Sequence, residues 1–100
     1  MSFDIVVRET FKGGPVARVR ENYSTSVTCN SLEDVVEFME SSMEDIRRRY
    51  EVIREWKEVT GNKVIRKVLF QRPAKHGRLL RTYAVSKVVD HKPVYDDSLI

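Results

Sequence analysis

Apolar residues recur at steps of three and four along the middle of the chain, and this spacing constrains the fold more than any other feature. The stripe begins just after Ser31, a good N-cap residue, and Asp34 adds a carboxylate to the first turn. Its members are Leu32, Val36, Met39, Met43, Ile46, Tyr50 and Ile53. Apolar side chains at this spacing share one face of a helix. Since Gly61-Asn62 is a typical helix end, the pattern predicts one long amphipathic helix over residues 32–60.

The length of this predicted helix indicates a partner. Its 29 residues would span about 43 Å, whereas strands of eight to ten residues reach only about 26–33 Å. We therefore expect the helix to extend beyond its own sheet and to bury its stripe against another chain. Its acidic first half and basic second half favour an antiparallel homodimer. The predicted dimer or partner interface consists of Met43, Ile46, Tyr50, Ile53 and Trp56.

Two adjacent serines leave an alternative open. Ser42 and Asp45 could cap a second helix, in which case the helix breaks at Ser41-Ser42 and its second half folds back onto the sheet. The stripe keeps its phase across the serines, which favours a continuous helix.

Strand-like segments lie on both sides of the helix. Residues 3–11 alternate apolar and polar side chains, as a half-buried strand does, and Gly13-Gly14-Pro15 then supplies a turn. The other strand-like segments are 16–21, 24–29 (an extension of the second strand or a third strand), 64–71 and 79–89. The chain is thus predicted to be an α+β domain over residues 1–90, a small antiparallel sheet in the order β-β-(β)-α-β-β packed against one helix. Residues 91–100 are expected to form an extended or loosely docked tail.

Charge is distributed unevenly along the chain. The net charge is +3, but no Asp or Glu occurs between Val59 and Val89. The predicted binding residues of this region are Arg66, Lys67, Arg72, Lys75, His76, Arg78, Arg81 and Lys87. A two-stranded ribbon with a basic tip can enter a major groove or follow a phosphate backbone. Phe70 and Tyr83 are candidates to stack on bases.

Few residues could support catalysis or metal binding. Cys29, His76 and His91 are the only cysteine and histidines, and their spacing matches no zinc motif. We therefore expect no metal, no cofactor and no catalytic site. The lone cysteine and the absence of a long apolar run favour the cytoplasm, or the cytoplasm of a host cell, and argue against a membrane partner.

These patterns favour a non-enzymatic, small regulatory binding protein. The prediction is that it contacts nucleic acid or a nucleoprotein complex through the basic C-terminal hairpin. The alternative is a protein-directed inhibitor or adaptor, of the kind that viruses and mobile elements direct at host systems such as defence complexes. In that case the helix, the hairpin or the tail docks on a protein, and an acidic partner would meet the same cations.

Overall fold

The computed structural model describes the backbone of residues 1–13, 18–72 and 77–99, and the side chains of residues 1–11, 24–72 and 77–99. In chain order the elements are β1 (Ser2–Gly13), β2 (Arg18–Cys29), α1 (Leu32–Arg49), β3 (Glu51–Thr60), β4 (Lys63–Gln71), β5 (Arg78–Val89), β6 (Lys92–Val94) and a short 3-10 turn, Asp97–Leu99. The strands form one antiparallel sheet in the order β2-β1-β5-β4-β3, and β6 pairs with the end of β5. The predicted α+β class, with an antiparallel sheet and one helix, is confirmed.

Alternation along β1 determines which face of the sheet is buried. Phe3, Ile5 and Val7 are all buried beneath α1, while the residues between them point to the other side. Ile5 lies opposite Val27 of β2 and Val85 of β5, so β1 is an interior strand that is paired on both sides. The two segments predicted after β1 form a single strand, β2. Gly14-Pro15 of the predicted turn and the first two residues of segment 16–21 lie outside the described residues.

The helix begins where the sequence predicts. The Oγ of Ser31 accepts a hydrogen bond from the backbone N–H of Asp34 at 3.1 Å. The face that packs on the sheet consists of Val35, Met39, Met43 and Ile46. Val36, assigned to the stripe from its spacing, is 52% exposed, and its neighbour Val35 is buried instead.

The predicted extent of the helix, residues 32–60, is wrong. α1 ends at Arg49, Tyr50 is already extended, and residues 51–60 form strand β3. This second half is rich in β-branched and aromatic residues, which favour strands. Gly61-Asn62 does not end a helix but forms the two-residue loop of the β3–β4 hairpin. Gly61 has φ +58°. Two-residue hairpin turns need a positive φ at their first loop position, and glycine adopts it without strain.

The shorter helix removes the expected overhang. The 18 residues of α1 span about 27 Å, which is shorter than the roughly 30–40 Å of the strands beneath them. Met43 and Ile46 pack inside the core of the same chain, where Met43 is fully buried. The apolar stripe of the helix is therefore satisfied by its own sheet.

The C-terminal segment returns to the sheet. Asp90 and His91 both have positive φ, 52° and 63°, and form the two-residue loop between β5 and β6. Beyond β6, Leu99 packs against the hydrophobic core.

We predict that Met43→Ala lowers the free energy of unfolding by about 2 to 5 kcal/mol, because it leaves a cavity in a fully packed site. Denaturant unfolding followed by circular dichroism measures the change. Val36→Ala, two turns away at an exposed position of the helix, is the control and should change stability by less than about 0.5 kcal/mol. Equal effects of the two substitutions would contradict the assignment of Met43 to the core.

Candidate functional site

The predicted binding cations lie on both faces of the sheet. We call the face beneath α1 the covered face and the opposite one the open face. Along β5 the odd-numbered residues from Leu79 to Val85 point to the covered face and the even-numbered residues to the open face. The same alternation in β4 separates Arg66, on the covered face, from Lys67, on the open face. The predicted site is therefore two separate groups of side chains.

Arg81 belongs to a buried polar network on the covered face. It is 7% exposed, its Nε donates to Glu9 Oε2 at 3.1 Å, and its Nη2 forms an ion pair with the same carboxylate. Its Nη1 donates to the Tyr83 hydroxyl at 3.1 Å. Tyr83 in turn lies 2.6 Å from Ser42 Oγ, and Ser42 donates to the Met39 carbonyl. Because the Ser42 proton is used by Met39, the Tyr83 hydroxyl donates to Ser42. This series of hydrogen bonds connects β5 to α1.

The charge of Arg81 is retained in this buried position. Burial alone would lower the pKa of Arg81, but the hydrogen bonds to Glu9 and Tyr83 outweigh it and raise the pKa. A buried, fully hydrogen-bonded guanidinium is a structural group rather than a surface available to phosphate.

Arg66 joins α1 to the β3–β4 hairpin. Its guanidinium binds Glu40 of the helix at 3.0 Å and Glu55 of β3 at 2.7 Å. Glu40 also accepts from Arg47 at 2.5 Å. Burial alone would raise the pKa of Glu40, but the hydrogen bonds from Arg47 and Arg66 lower it below its ordinary value of 4.5. Arg66 is thus engaged by two carboxylates of its own chain.

Two further predicted cations have partners near the ends of the sheet. The Arg72 guanidinium lies 5.5 Å from the ring centre of Phe11 and 5.7 Å from that of Tyr50, and it donates to the Tyr50 hydroxyl. Lys87 pairs with Asp96 of the C-terminal segment at 3.3 Å. That pairing connects the tail to β5.

The remaining predicted cations belong to the open face or lie outside the described residues. Lys67 points to the open face and pairs with Glu58 at 2.9 Å. Arg78 is exposed, with its Nε 3.3 Å from Gln71 Oε1. Lys75 and His76, at the tip of the predicted hairpin, lie outside the described residues.

Two cations outside the predicted set also lie on the open face. Arg8 of β1 and Lys63 of β4 are exposed, and neither has an ion pair within the described part of the chain. Together with Lys67 they line a shallow depression of about 500 Å³. Its floor is apolar, and the hydroxyls of Thr10, Thr60 and Thr82 also line it. Arg8 could have been found from the alternation of β1, which places it opposite to Phe3, Ile5 and Val7.

The strand register aligns several of these side chains in one row across the sheet, which we call the central row. Arg8 lies opposite Thr82, and Thr82 lies opposite Lys67. The row continues to Ser24 of β2 on one side and to Trp56 of β3 on the other. With strands about 4.8 Å apart, it crosses five strands in about 19 Å. Two cations, two hydroxyls and an aromatic ring are thus presented in line.

The aromatic residues predicted to stack on bases are buried, and a different aromatic residue lies on the open face. Phe70 and Tyr83, the candidates for base stacking, are fully buried beneath the helix and cannot contact a base. Trp56 is the aromatic side chain of the central row, half-buried, with the Arg54 guanidinium 4.6 Å from its ring centre. Of the predicted interface residues, Ile53 is 45% exposed and Tyr50 is half-buried beside Arg72.

Groups with catalytic or metal-binding potential are scattered. Cys29 is buried, and burial, with a further contribution from Asp34, raises the pKa of its thiol, which favours the unreactive protonated form. His91 lies in the β5–β6 turn. Among the described side chains, no three metal-ligating groups converge.

Comparison with known proteins adds no assignment: no protein-family model, curated protein or solved structure matches the chain. Within the described part of the chain, no helix has the length and apolar surface that crossing a bilayer requires.

We predict that Arg81→Met lowers the free energy of unfolding by about 3 kcal/mol, because Glu9 is left as an uncompensated, largely buried charge. The double variant Arg81→Met with Glu9→Gln removes that charge and should regain part of the loss. Urea denaturation of both variants measures this. A double variant that is no more stable than Arg81→Met would contradict the pairing.

The Glu40 contacts predict a pH dependence. A carboxylate whose folded pKa is lowered stabilises the fold above its unfolded pKa, and the contribution disappears as pH falls through the folded pKa. The stability difference between wild type and Glu40→Gln should therefore be largest at neutral pH and shrink below the ordinary value of 4.5. Denaturation across a pH series measures it. Glu37→Gln, which changes an exposed carboxylate of the same helix, is the control and should show no such trend.

Proposed function

We propose that this protein is a non-enzymatic binding module that contacts nucleic acid, alone or within a nucleoprotein complex, through the open face of its sheet. The observation that carries the proposal is the open depression lined by Arg8, Lys63 and Lys67. Lys63 and Lys67 belong to β4 of the C-terminal hairpin, and Arg8 adds a cation from β1 of the same sheet.

The charges on the two faces explain why the open face is favoured over the hairpin as a whole. On the covered face, Arg66, Arg81 and Lys87 are each neutralised by carboxylates of the same chain. On the open face, the described cations are Arg8, Arg54, Lys63, Lys67 and Arg78, and the described carboxylates are Asp4, Glu51 and Glu58. Binding a phosphate backbone releases counterions in proportion to the number of phosphates neutralised. Arg8 and Lys63, which are exposed and have no ion pair among the described residues, can do this at little desolvation cost.

The chemistry of the depression fits a phosphate backbone better than a base edge. Thr10, Thr60 and Thr82 provide hydroxyl donors, which commonly bind phosphate oxygens. The described open face contains neither Asn nor an accessible stack of aromatic residues, and Trp56 is its one described aromatic ring. We therefore expect binding with weak sequence preference and with Trp56 as a single stacking position.

The proposal is tested by fluorescence anisotropy of labelled single- and double-stranded DNA and RNA at several salt concentrations. We expect the affinity to fall linearly with salt on logarithmic axes. The triple variant Arg8→Gln/Lys63→Gln/Lys67→Gln should bind more weakly. Its salt slope should be smaller by about 2 to 3, because each lost phosphate contact contributes about 0.7 to 0.9.

A charge-matched variant controls for net charge. Arg48, Arg49 and Lys92 are exposed and lie on α1 and β6, away from the depression. Replacing these three with Gln removes the same number of charges and should leave most of the affinity intact. Equal loss in the two triple variants would assign the binding to net charge alone. No binding of any probe at low salt would overturn the proposal.

A protein-directed inhibitor or adaptor is the second candidate, and the exposed apolar side chains of β3 favour it. Val52, Ile53 and Val59 are each more than 40% exposed, which is typical of a surface that another chain covers. On this alternative the triple variant keeps its biological effect, whereas substitutions in β3 abolish it.

A further inference from the structure

Strand β3 is a long free edge of the sheet. It pairs with β4 on one side, and no other described strand pairs with its second side. Nine of its ten residues are exposed, and Trp56 is half-buried. Such an edge presents unpaired backbone N–H and C=O groups and is a ready template for another strand.

The hairpin turn determines which backbone groups are free. Thr60 and Lys63 close a two-residue loop, so they exchange hydrogen bonds, and every second residue of β3 does the same with β4. The even-numbered residues Arg54, Trp56 and Glu58 therefore direct their backbone groups at β4. The odd-numbered residues Glu55, Lys57 and Val59 direct theirs outward.

We propose that β3 pairs antiparallel with β3 of a second copy of this chain, about a two-fold axis at Trp56. In this register Glu55 lies opposite Lys57 of the second copy, and Arg54 lies opposite Glu58 of the second copy. Each of these opposite-charge pairs occurs twice because of the symmetry. Ile53, the bulge residue of the β3–β4 ladder, then lies opposite Val59 of the second copy. Charged pairs meet opposite charges, and apolar side chains meet apolar side chains.

The backbone geometry supports the same register. Glu55 and Lys57 of the second copy are both outward-directed, so they form a hydrogen-bonded pair. Trp56 and its symmetry mate form a non-hydrogen-bonded pair, in which side chains approach most closely. Both rings lie on the open face and can pack together across the two-fold axis.

Neighbouring registers of the β3–β3 pair place like charges opposite each other. A shift by one residue places Arg54 opposite Lys57, or Glu55 opposite Glu58, and it also mismatches the outward-directed backbone groups. A shift by two residues places Glu55 opposite Glu55, or Lys57 opposite Lys57. Like charges directly opposite destabilise a strand pair. The sequence of β3 is thus self-complementary in one register, which is why the occupant is a second copy rather than an unrelated strand.

The interface replaces the helical seam predicted from the sequence and is independent of whether the open face binds nucleic acid. Its residues are exposed except for the half-buried Trp56, whereas Met43 and Ile46 of the predicted seam are buried in the core. Pairing of the two edges joins both six-stranded sheets into one continuous antiparallel sheet.

The test is the mass of the full chain in solution, measured by light scattering over a dilution series. We expect twice the chain mass of 11.7 kDa, and dissociation on dilution. Trp56 is the sole tryptophan, so its emission should shift to longer wavelength over the same dilution range. Lys57→Glu places Glu opposite Glu55 twice and should weaken dimerisation by about tenfold or more. Lys92→Glu, the same change at an exposed site on β6, should leave dimerisation unchanged.

A charge exchange distinguishes the register from a general loss of structure. Glu55→Lys alone places Lys opposite Lys57 and should also give monomers, while Glu40 continues to hold Arg66. A mixture of Lys57→Glu chains with Glu55→Lys chains restores opposite charges in both pairs and should form a heterodimer. A monomeric wild type at the highest soluble concentration would overturn the proposal. So would a dimer that Lys57→Glu leaves intact, or a mixture of the two variants that stays monomeric.

Discussion

One helix packs on a sheet of six strands, and it can cover only one of the two faces. This constraint divides every strand into residues that build the core and residues that face outward. The covered face contains the apolar core together with the Arg66 and Arg81 ion pairs. The open face keeps cations, hydroxyls and a few apolar side chains in contact with solvent. We expect binding on the open face, because its side chains are not used to build the core.

The buried network of Glu9, Arg81, Tyr83 and Ser42 places the helix on the sheet. Apolar packing by Met39 and Met43 is non-directional, whereas a chain of hydrogen bonds ends at defined atoms on both layers. Arg66 adds a second connection through Glu40. Arginines that look in the sequence like part of a basic surface are therefore used to connect secondary structure elements.

The two proposals involve the same geometric element. The central row ends at Trp56, and Trp56 lies on the proposed two-fold axis. Pairing of β3 edges would align the row of one copy with that of the next, doubling the length of the cationic open face. A backbone-binding surface gains affinity from each added contact, so an extended sheet suits a ligand with regularly spaced charges.

The sequence by itself determined the local features. Ser31 and the apolar spacing placed the start of the helix, the alternation of Phe3, Ile5 and Val7 placed β1 with a buried face, and turn residues separated the strands. Tertiary structure decided the rest. Residues 51–60 continue the helical spacing, yet they form β3, because they pair with β4 and their β-branched and aromatic side chains suit a strand. Which cations stay free was likewise decided by the fold: a side chain's partner can lie 72 positions away, as Glu9 does from Arg81, and no local pattern encodes a contact at that separation.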